Sequence, residues 1–146
     1  MKTIFKLTAI LFVSAAIFCS CGDAGDEDQT PTLEGEWKLK GMVNVETGVL
    51  KVLEPKECDK CYRITFHKNN TFSFHTAVNL LTATFSVDYT ASSITVLDIK
   101  GTEISELFDG FLFRNTLNIV QFFSLETNEL RLYYNSKKHY LVFIKV

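Results

Sequence analysis

The chain has 146 residues, 47% of them hydrophobic, and a formal net charge of −2 at pH 7. That is enough chain for one domain with its own core. With no basic excess there is no electrostatic footprint for nucleic acid, and none is expected as a partner.

Lys2 and Lys6 open the chain, and an apolar run from Leu7 to Phe18 follows, broken by Thr8 and Ser14. A spanning helix needs about 20 apolar residues. A run of twelve fits the core of a signal peptide instead. The stretch Phe18-Cys19-Ser20-Cys21-Gly22-Asp23 resembles a lipobox, in which a small residue precedes the cysteine to be acylated. Ser20 meets that need before Cys21, whereas Phe18 before Cys19 is too bulky. The resemblance implies that residues 1–20 are a lipoprotein signal peptide and that Cys21 becomes the lipid-bearing first residue. A single acyl chain binds membranes with an association constant of only about 10⁴ M⁻¹. Lipoproteins of this type carry three chains, so the membrane is an expected partner through Cys21. The other reading is a plain secretory signal cleaved near Ala16 or Ser20.

Residues 21–32 hold Asp23, Asp26, Glu27 and Asp28, two glycines and Pro31, and no large apolar side chain. Such a segment cannot bury enough surface to fold and is expected to be an acidic flexible tether. It is also similar to the acidic export tag of outer-surface lipoproteins of the Bacteroidetes group. That similarity implies an outer-membrane or cell-surface location, with the domain outside the cytoplasm. A merely soluble spacer is the alternative. The remaining stretch, 33–146, balances 13 basic against 13 acidic residues.

Trp37 and Leu39 alternate with Lys38 and Lys40, the period-two pattern of a half-buried strand. A weaker strand is expected over Val49–Leu53. Cys58-Asp-Lys-Cys61 then precedes Tyr62-Arg63-Ile64-Thr65-Phe66, which reads as a strand rather than the helix a thioredoxin-like site opens. Zinc needs four ligands; His67 is a conceivable third and no fourth is evident. A local disulfide between Cys58 and Cys61 is expected, with free thiols, metal binding or redox work as alternatives. Tyr62 to His75 reads as a hairpin around Asn69-Asn70. For Ile64, Phe66, Phe72 and Phe74 to share one face, 66 must pair with 72 and 64 with 74. That leaves the three-residue loop Lys68-Asn69-Asn70 with a left-handed position, and it sends Thr65, His67, Ser73 and His75 outward.

Ala83, Phe85, Val87 and Tyr89 alternate with polar residues in the next strand. Ile94–Ile99 and Tyr140–Ile144 are more continuously apolar, which predicts cover on both faces. Ile104, Leu107, Phe108, Phe111 and Leu112 make a helical stripe, with Thr102 as N-cap, Glu103 in the first turn and Asn115 as stop. That helix is expected to plug an open end or face of the sheet. Three strands close the chain, near Asn118–Phe123, Glu129–Tyr134 and His139–Lys145. The predicted fold is mainly β: a small antiparallel β-barrel or strongly curved sheet of seven to eight strands, with one helix before the last three.

Over about residues 33–146 the chain resembles a META-type (lipocalin-like) domain. The residues that carry this are Gly35-Glu36-Trp37-Lys38-Leu39, Asn79 followed by Ala83 and Phe85, the helix before the final hairpin, and the ending Leu130–Tyr134 with Tyr140–Phe143. The family's Thr-x-x-x-Cys segment survives only as Thr102. Lipocalin-like lipoproteins share the glycine-x-tryptophan start, but their main helix follows the barrel. The family has no agreed chemistry, so the resemblance implies a fold and no activity.

His67, His75 and His139 sit in no nucleophile or metal motif, and Asp88, Asp98 and Asp109 could be paired only by the fold. No metal, cofactor or enzymatic activity is expected. The first functional expectation is a non-catalytic binding or structural domain, with a packed interior and an exposed apolar or aromatic patch that could include Tyr133. The alternative is a carrier for a small apolar ligand, in a cavity lined by Trp37, Phe66, Phe72, Phe74, Phe85 and Tyr89. An enzyme would instead need clustered polar groups in a cleft.

Overall fold

The computed structural model describes residues 31–102 and 104–146. The expected signal peptide, Cys21 and most of the tether lie outside the described residues.

The chain forms β1 (Gly35–Asn44), β2 (Leu50–Lys51), β3 (Arg63–Phe66), β4 (Thr71–His75), β5 (Leu80–Asp88), β6 (Ser93–Gly101), α1 (Gly110–Asn118), β7 (Phe122–Leu125), β8 (Glu129–Tyr134) and β9 (His139–Lys145). From β3 to β9, strands consecutive in sequence are neighbours in one antiparallel sheet. β1 pairs with β3 on one side and β9 on the other, so the sheet closes on itself as a ring. β2 lies beside the far half of β1. It is the strand beyond the expected eight and falls in the stretch read as weakest. The thinnest seam is β6–β7, joined at the single pair Ser93↔Phe122, and α1 is the connection between those two strands.

Alternation decides which side chains enter the ring. Trp37 and Leu39 of β1, and Leu81, Ala83 and Phe85 of β5, are buried, while their polar neighbours stay outside. The β3–β4 hairpin pairs Ile64 with Phe74 and Phe66 with Phe72, the register its phenylalanines require. Its loop is the three residues 68–70, closed by the His67 N–H on the Thr71 carbonyl at 2.9 Å, with Asn70 at φ 57°. At the β1 bulge between Leu39 and Gly41, a Cβ on Gly41 would stand 2.6 Å from both Leu50 Cδ1 and the Lys51 carbonyl. Glycine is what lets β2 lie against β1 there.

Two strand expectations are corrected and one is met. β6 is covered on one face only: Ile94 and Val96 are buried, but Leu97 is 48% exposed. In β9 the run Leu141-Val142-Phe143 is buried continuously, as expected of a strand covered on both faces. β7 starts at Phe122, because Asn118 still belongs to the helix.

The largest correction concerns the helix itself. It runs Gly110–Asn118, not from Thr102 to Asn115, and it buries Gly110, Phe113, Thr116 and Leu117. The expected stripe is mostly outside: Ile104, Leu107, Phe108 and Phe111 are 62%, 53%, 69% and 65% exposed. The physical reason lies upstream. Thr102, Ile104 and Glu106 are tied by polar contacts to the β4–β5 turn, and Phe108 takes φ 53°, outside the right-handed helix region. The helix starts only after it. Phe113 then enters the ring and meets Tyr62, Phe74 and Phe143, with ring centroids 5.2, 6.0 and 6.3 Å away. The helix is a plug, as anticipated, but through other residues.

Candidate functional site

The expected ligand-lining residues fall into two groups. Trp37, Phe66, Phe72, Phe74 and Phe85 are all buried, the most exposed of them at 7%. They pack on one another: Phe66 meets Phe72 at 5.3 Å and Phe85 at 5.2 Å, and Phe72 meets Phe74 at 5.6 Å. The Trp37 indole N–H donates to the Leu33 carbonyl at 2.8 Å. Tyr89 does not join them. It lies past the end of β5, 52% exposed, edge-on to Phe123. It drops out because β5 ends at Asp88, whose carboxylate accepts the N–H groups of Thr90 and Ala91 and turns the chain.

Two stretches leave four large apolar side chains exposed within eight residues: Val45, Val49, Leu50 and Val52, all aliphatic, and Ile104, Leu107, Phe108 and Phe111, which include two aromatic rings. The second needs an explanation that scattered side chains do not. Asn79 sets its position. It is only 2% exposed, and every atom of its carboxamide is used. Its oxygen accepts the Thr102 hydroxyl at 2.8 Å and the Ile104 N–H at 3.1 Å. Its nitrogen donates to the Ile104 carbonyl and to the Glu106 carboxylate, both at 2.8 Å. Thr102, expected as an N-cap, is thereby a tie to the β4–β5 turn.

Asp109 pins the far end of the segment. Its carboxylate accepts the Glu54 N–H at 2.9 Å and the Lys51 ammonium at 3.0 Å. Burial alone would raise this carboxyl, but the Glu54 N–H and Lys51 prevail and hold it below its ordinary range. Tyr62 stands nearby and donates its hydroxyl to the Glu54 carbonyl. Burial, with Asp109 and Glu106 adding to it, pushes that phenol up to about 12.

Next to this surface a groove of about 440 Å³ is lined by Cys58, Cys61, His75, Val78, Leu80 and Ile104, among others. Cys58 and Cys61 are joined in a disulfide. Their turn is gripped by Lys38, whose ammonium donates to the carbonyls of Cys58 at 2.7 Å and Asp59 at 3.0 Å, and to that of Cys61. Arg63 holds the same turn through Asp59 and ties it to Glu36 at 2.7 Å. Burial of the Lys38 ammonium, then the Arg63 charge, lowers its pKa.

A second recess, about 660 Å³, lies between the turns at 45–48, 89–92 and 135–138 and includes Tyr133, Tyr140 and Arg131. Tyr133 packs on Tyr140 at 5.2 Å, and the Arg131 guanidinium lies over the Tyr140 ring. Tyr133 is thus part of an aromatic ledge away from the 104–111 cluster. The histidines are scattered. His67 and His75 are exposed on the β3–β4 hairpin, and His139 contacts Asn44 at 3.3 Å while stacking on Tyr134. Asp88, Asp98 and Asp109 lie on different elements and form no joint site. Among the described residues, no three His, Cys, Asp or Glu side chains gather as a metal site would need, and no helix is long and apolar enough to cross a membrane.

Sequence reasoning missed Asn79 as the organising residue and missed the exposure of the Phe108–Phe111 pair. One usable signal was Asp109-Gly110, a residue favoured at helix N-caps set just ahead of the spacing Phe113, Thr116, Leu117.

Comparison with known proteins gives relatives rather than an activity. The chain is similar to a protein of Tannerella forsythia named "Putative lipoprotein", 28% identical over 144 residues that cover 97% of this chain and 94% of the relative. Its fold resembles that of a DUF4847 family protein from Bacteroides vulgatus, with a TM-score of 0.59, 17% identity, and 76% of this chain against 92% of the other covered. It also resembles a protein from Burkholderia xenovorans, with a TM-score of 0.62, 11% identity, and 77% against 82% covered. At those identities the likeness is one of fold. No family model matches the chain, so the META-type resemblance rests on the residues that carry it.

Proposed function

We propose that this chain is a lipoprotein of the bacterial cell envelope, tethered through lipid on Cys21, whose domain binds a protein partner without catalysing a reaction. The lipid reading is supported by the Ser20-Cys21 motif and by the Tannerella forsythia relative. Similarity over 97% of the chain reaches well into the first thirty residues. The acidic tether favours the outer membrane or cell surface as the place where the domain is displayed.

The observation that carries the binding reading is the exposed set Ile104, Leu107, Phe108 and Phe111. Leaving such side chains in water costs free energy that burial would recover, roughly 1.5–3 kcal/mol each. The polar scaffold of Asn79 and Asp109 holds them there, which is the arrangement a docking surface needs. The carrier reading is weaker, because five of its six proposed lining residues are occupied in packing against one another.

The test has two arms on the full chain. Labelling growing cells with an alkyne-bearing fatty acid should tag the chain and should fail with Cys21→Ser, which should also leave the membrane fraction. Equal labelling of both proteins would refute the lipid reading. Cross-linking in those cells should give a defined protein adduct that Phe108→Ser with Phe111→Ser abolishes. An adduct indifferent to that change would refute the assigned surface.

A further inference from the structure

The Cys58–Cys61 bond does little as a structural staple. It closes a very short loop, and the entropy removed from the unfolded chain grows with loop length. The turn is already held without it, by the Lys38 ammonium on three of its carbonyls and by Arg63 on Asp59. The sulfurs can therefore part while the backbone stays in place.

The two cysteines also differ in access. Cys61 is 3% exposed and belongs to the core, whereas Cys58 is partly open to solvent. The Cys61 N–H donates to the Cys58 sulfur at 3.1 Å. That contact, and the Lys38 charge in the same turn, favour negative charge on the Cys58 sulfur, which makes Cys58 the more reactive thiol of the pair when it is reduced. The groove beside them offers Val78, Leu80 and Ile104 as apolar walls and His75 as a polar one.

We infer that Cys58–Cys61 is a thiol–disulfide exchange site that reversibly captures a cysteine-bearing polypeptide on Cys58. This goes beyond the binding reading and does not depend on the lipid at Cys21. The partner thiol loses its proton to solvent, and its thiolate attacks the Cys58 sulfur, the one it can reach. A new sulfur–sulfur bond forms between partner and Cys58, the Cys58–Cys61 bond breaks, and Cys61 leaves as a thiolate that takes a proton from solvent. In return, Cys61 gives that proton back to solvent, its thiolate attacks Cys58, and the expelled partner thiolate takes up a proton as the starting disulfide is restored. One disulfide is exchanged for another in each direction, so no external oxidant or reductant is consumed. Cys61 is the resolving residue, and the apolar walls select a polypeptide segment over a small hydrophilic thiol.

The test uses full chains carrying Cys61→Ser or Cys58→Ser, each folded and in concentrated urea, with two probes: glutathione disulfide and an apolar cysteine peptide in its disulfide form. Lys56, Lys60 and Arg63 place the two cysteines on different tryptic peptides, so mass mapping assigns every adduct. Folded Cys58 should react about tenfold faster than the same cysteine in the unfolded chain, as an activated thiolate does. Folded Cys61 should react more slowly than its unfolded control, and the apolar peptide should outpace glutathione disulfide on Cys58. Should a serine variant fail to fold, partial alkylation of the reduced natural chain must give the same order of Cys58 and Cys61. Cys58 no faster folded than unfolded, or Cys61 as fast as Cys58, overturns the exchange site. Equal rates for the two probes overturn the polypeptide as its target.

Discussion

Asn79 concentrates more of this structure in one side chain than any other buried polar residue described. Its four hydrogen bonds fix where the chain leaves β6 and where the apolar cluster begins. Asn79→Ala would strand the Ile104 backbone groups and the Glu106 carboxylate. The expected loss is about 2–4 kcal/mol, read by urea unfolding, with faster amide exchange across 102–109. Asp109 acts at the other end of the segment and carries a pH signature. Its carboxyl is held below its ordinary value of 3.8, so it contributes stability above that pH and loses it as pH falls through the depressed value. Asp109→Asn should cost about 1 kcal/mol at neutral pH. The gap from the natural chain should close in acid, as thermal melts across pH would record. Tyr62 has the opposite sign. With its phenol raised from 10.0 to about 12, its contribution is complete below pH 10 and disappears as pH rises between the two values. Tyr62→Phe should remove that alkaline loss, seen by comparing the two unfolding curves in this window.

Helix α1 divides its aromatic residues by role. Phe113 is fully buried among Tyr62, Phe74 and Phe143, whereas Phe111, two positions earlier, is 65% exposed. Phe113→Ala should cost about 3–5 kcal/mol and loosen the plug. Phe111→Ala should change stability by no more than about 0.5 kcal/mol, both read by chemical denaturation. The same helix shows what the sequence could and could not reveal. The hairpin register was legible because the phenylalanines at 66, 72 and 74, with Ile64, admit one pairing that buries them all. The helix boundary was not, because Ile104, Leu107, Phe108, Phe111 and Leu112 keep a perfect helical spacing although the segment is held apart by Asn79. A side chain 23 to 27 residues away along the chain from the groups it holds leaves no trace in local periodicity. Tyr89 misled for a related reason: the alternation of β5 continues into a turn that Asp88 creates.

At the scale of the whole molecule, the ring is a sheet closed by β1 and filled by its own aromatic residues, with α1 set into it between β6 and β7. Closure leaves few free strand edges, so the proposed binding is assigned to the turns and to the exposed side chains of 104–111. The strands and their order were readable from alternation. The place of the candidate site was not, since it arises from loops that only the closed ring brings beside the Cys58–Cys61 turn. We propose an interior occupied by the chain itself and binding on the outside of a membrane-tethered domain. Native mass spectrometry of the full chain, extracted gently from membranes and then denatured, addresses both halves at once. The expected result is a lipid-bearing mass that denaturation does not strip of any small apolar molecule. A small apolar molecule released on denaturation would contradict the filled interior, and a chain free of lipid would contradict the tether.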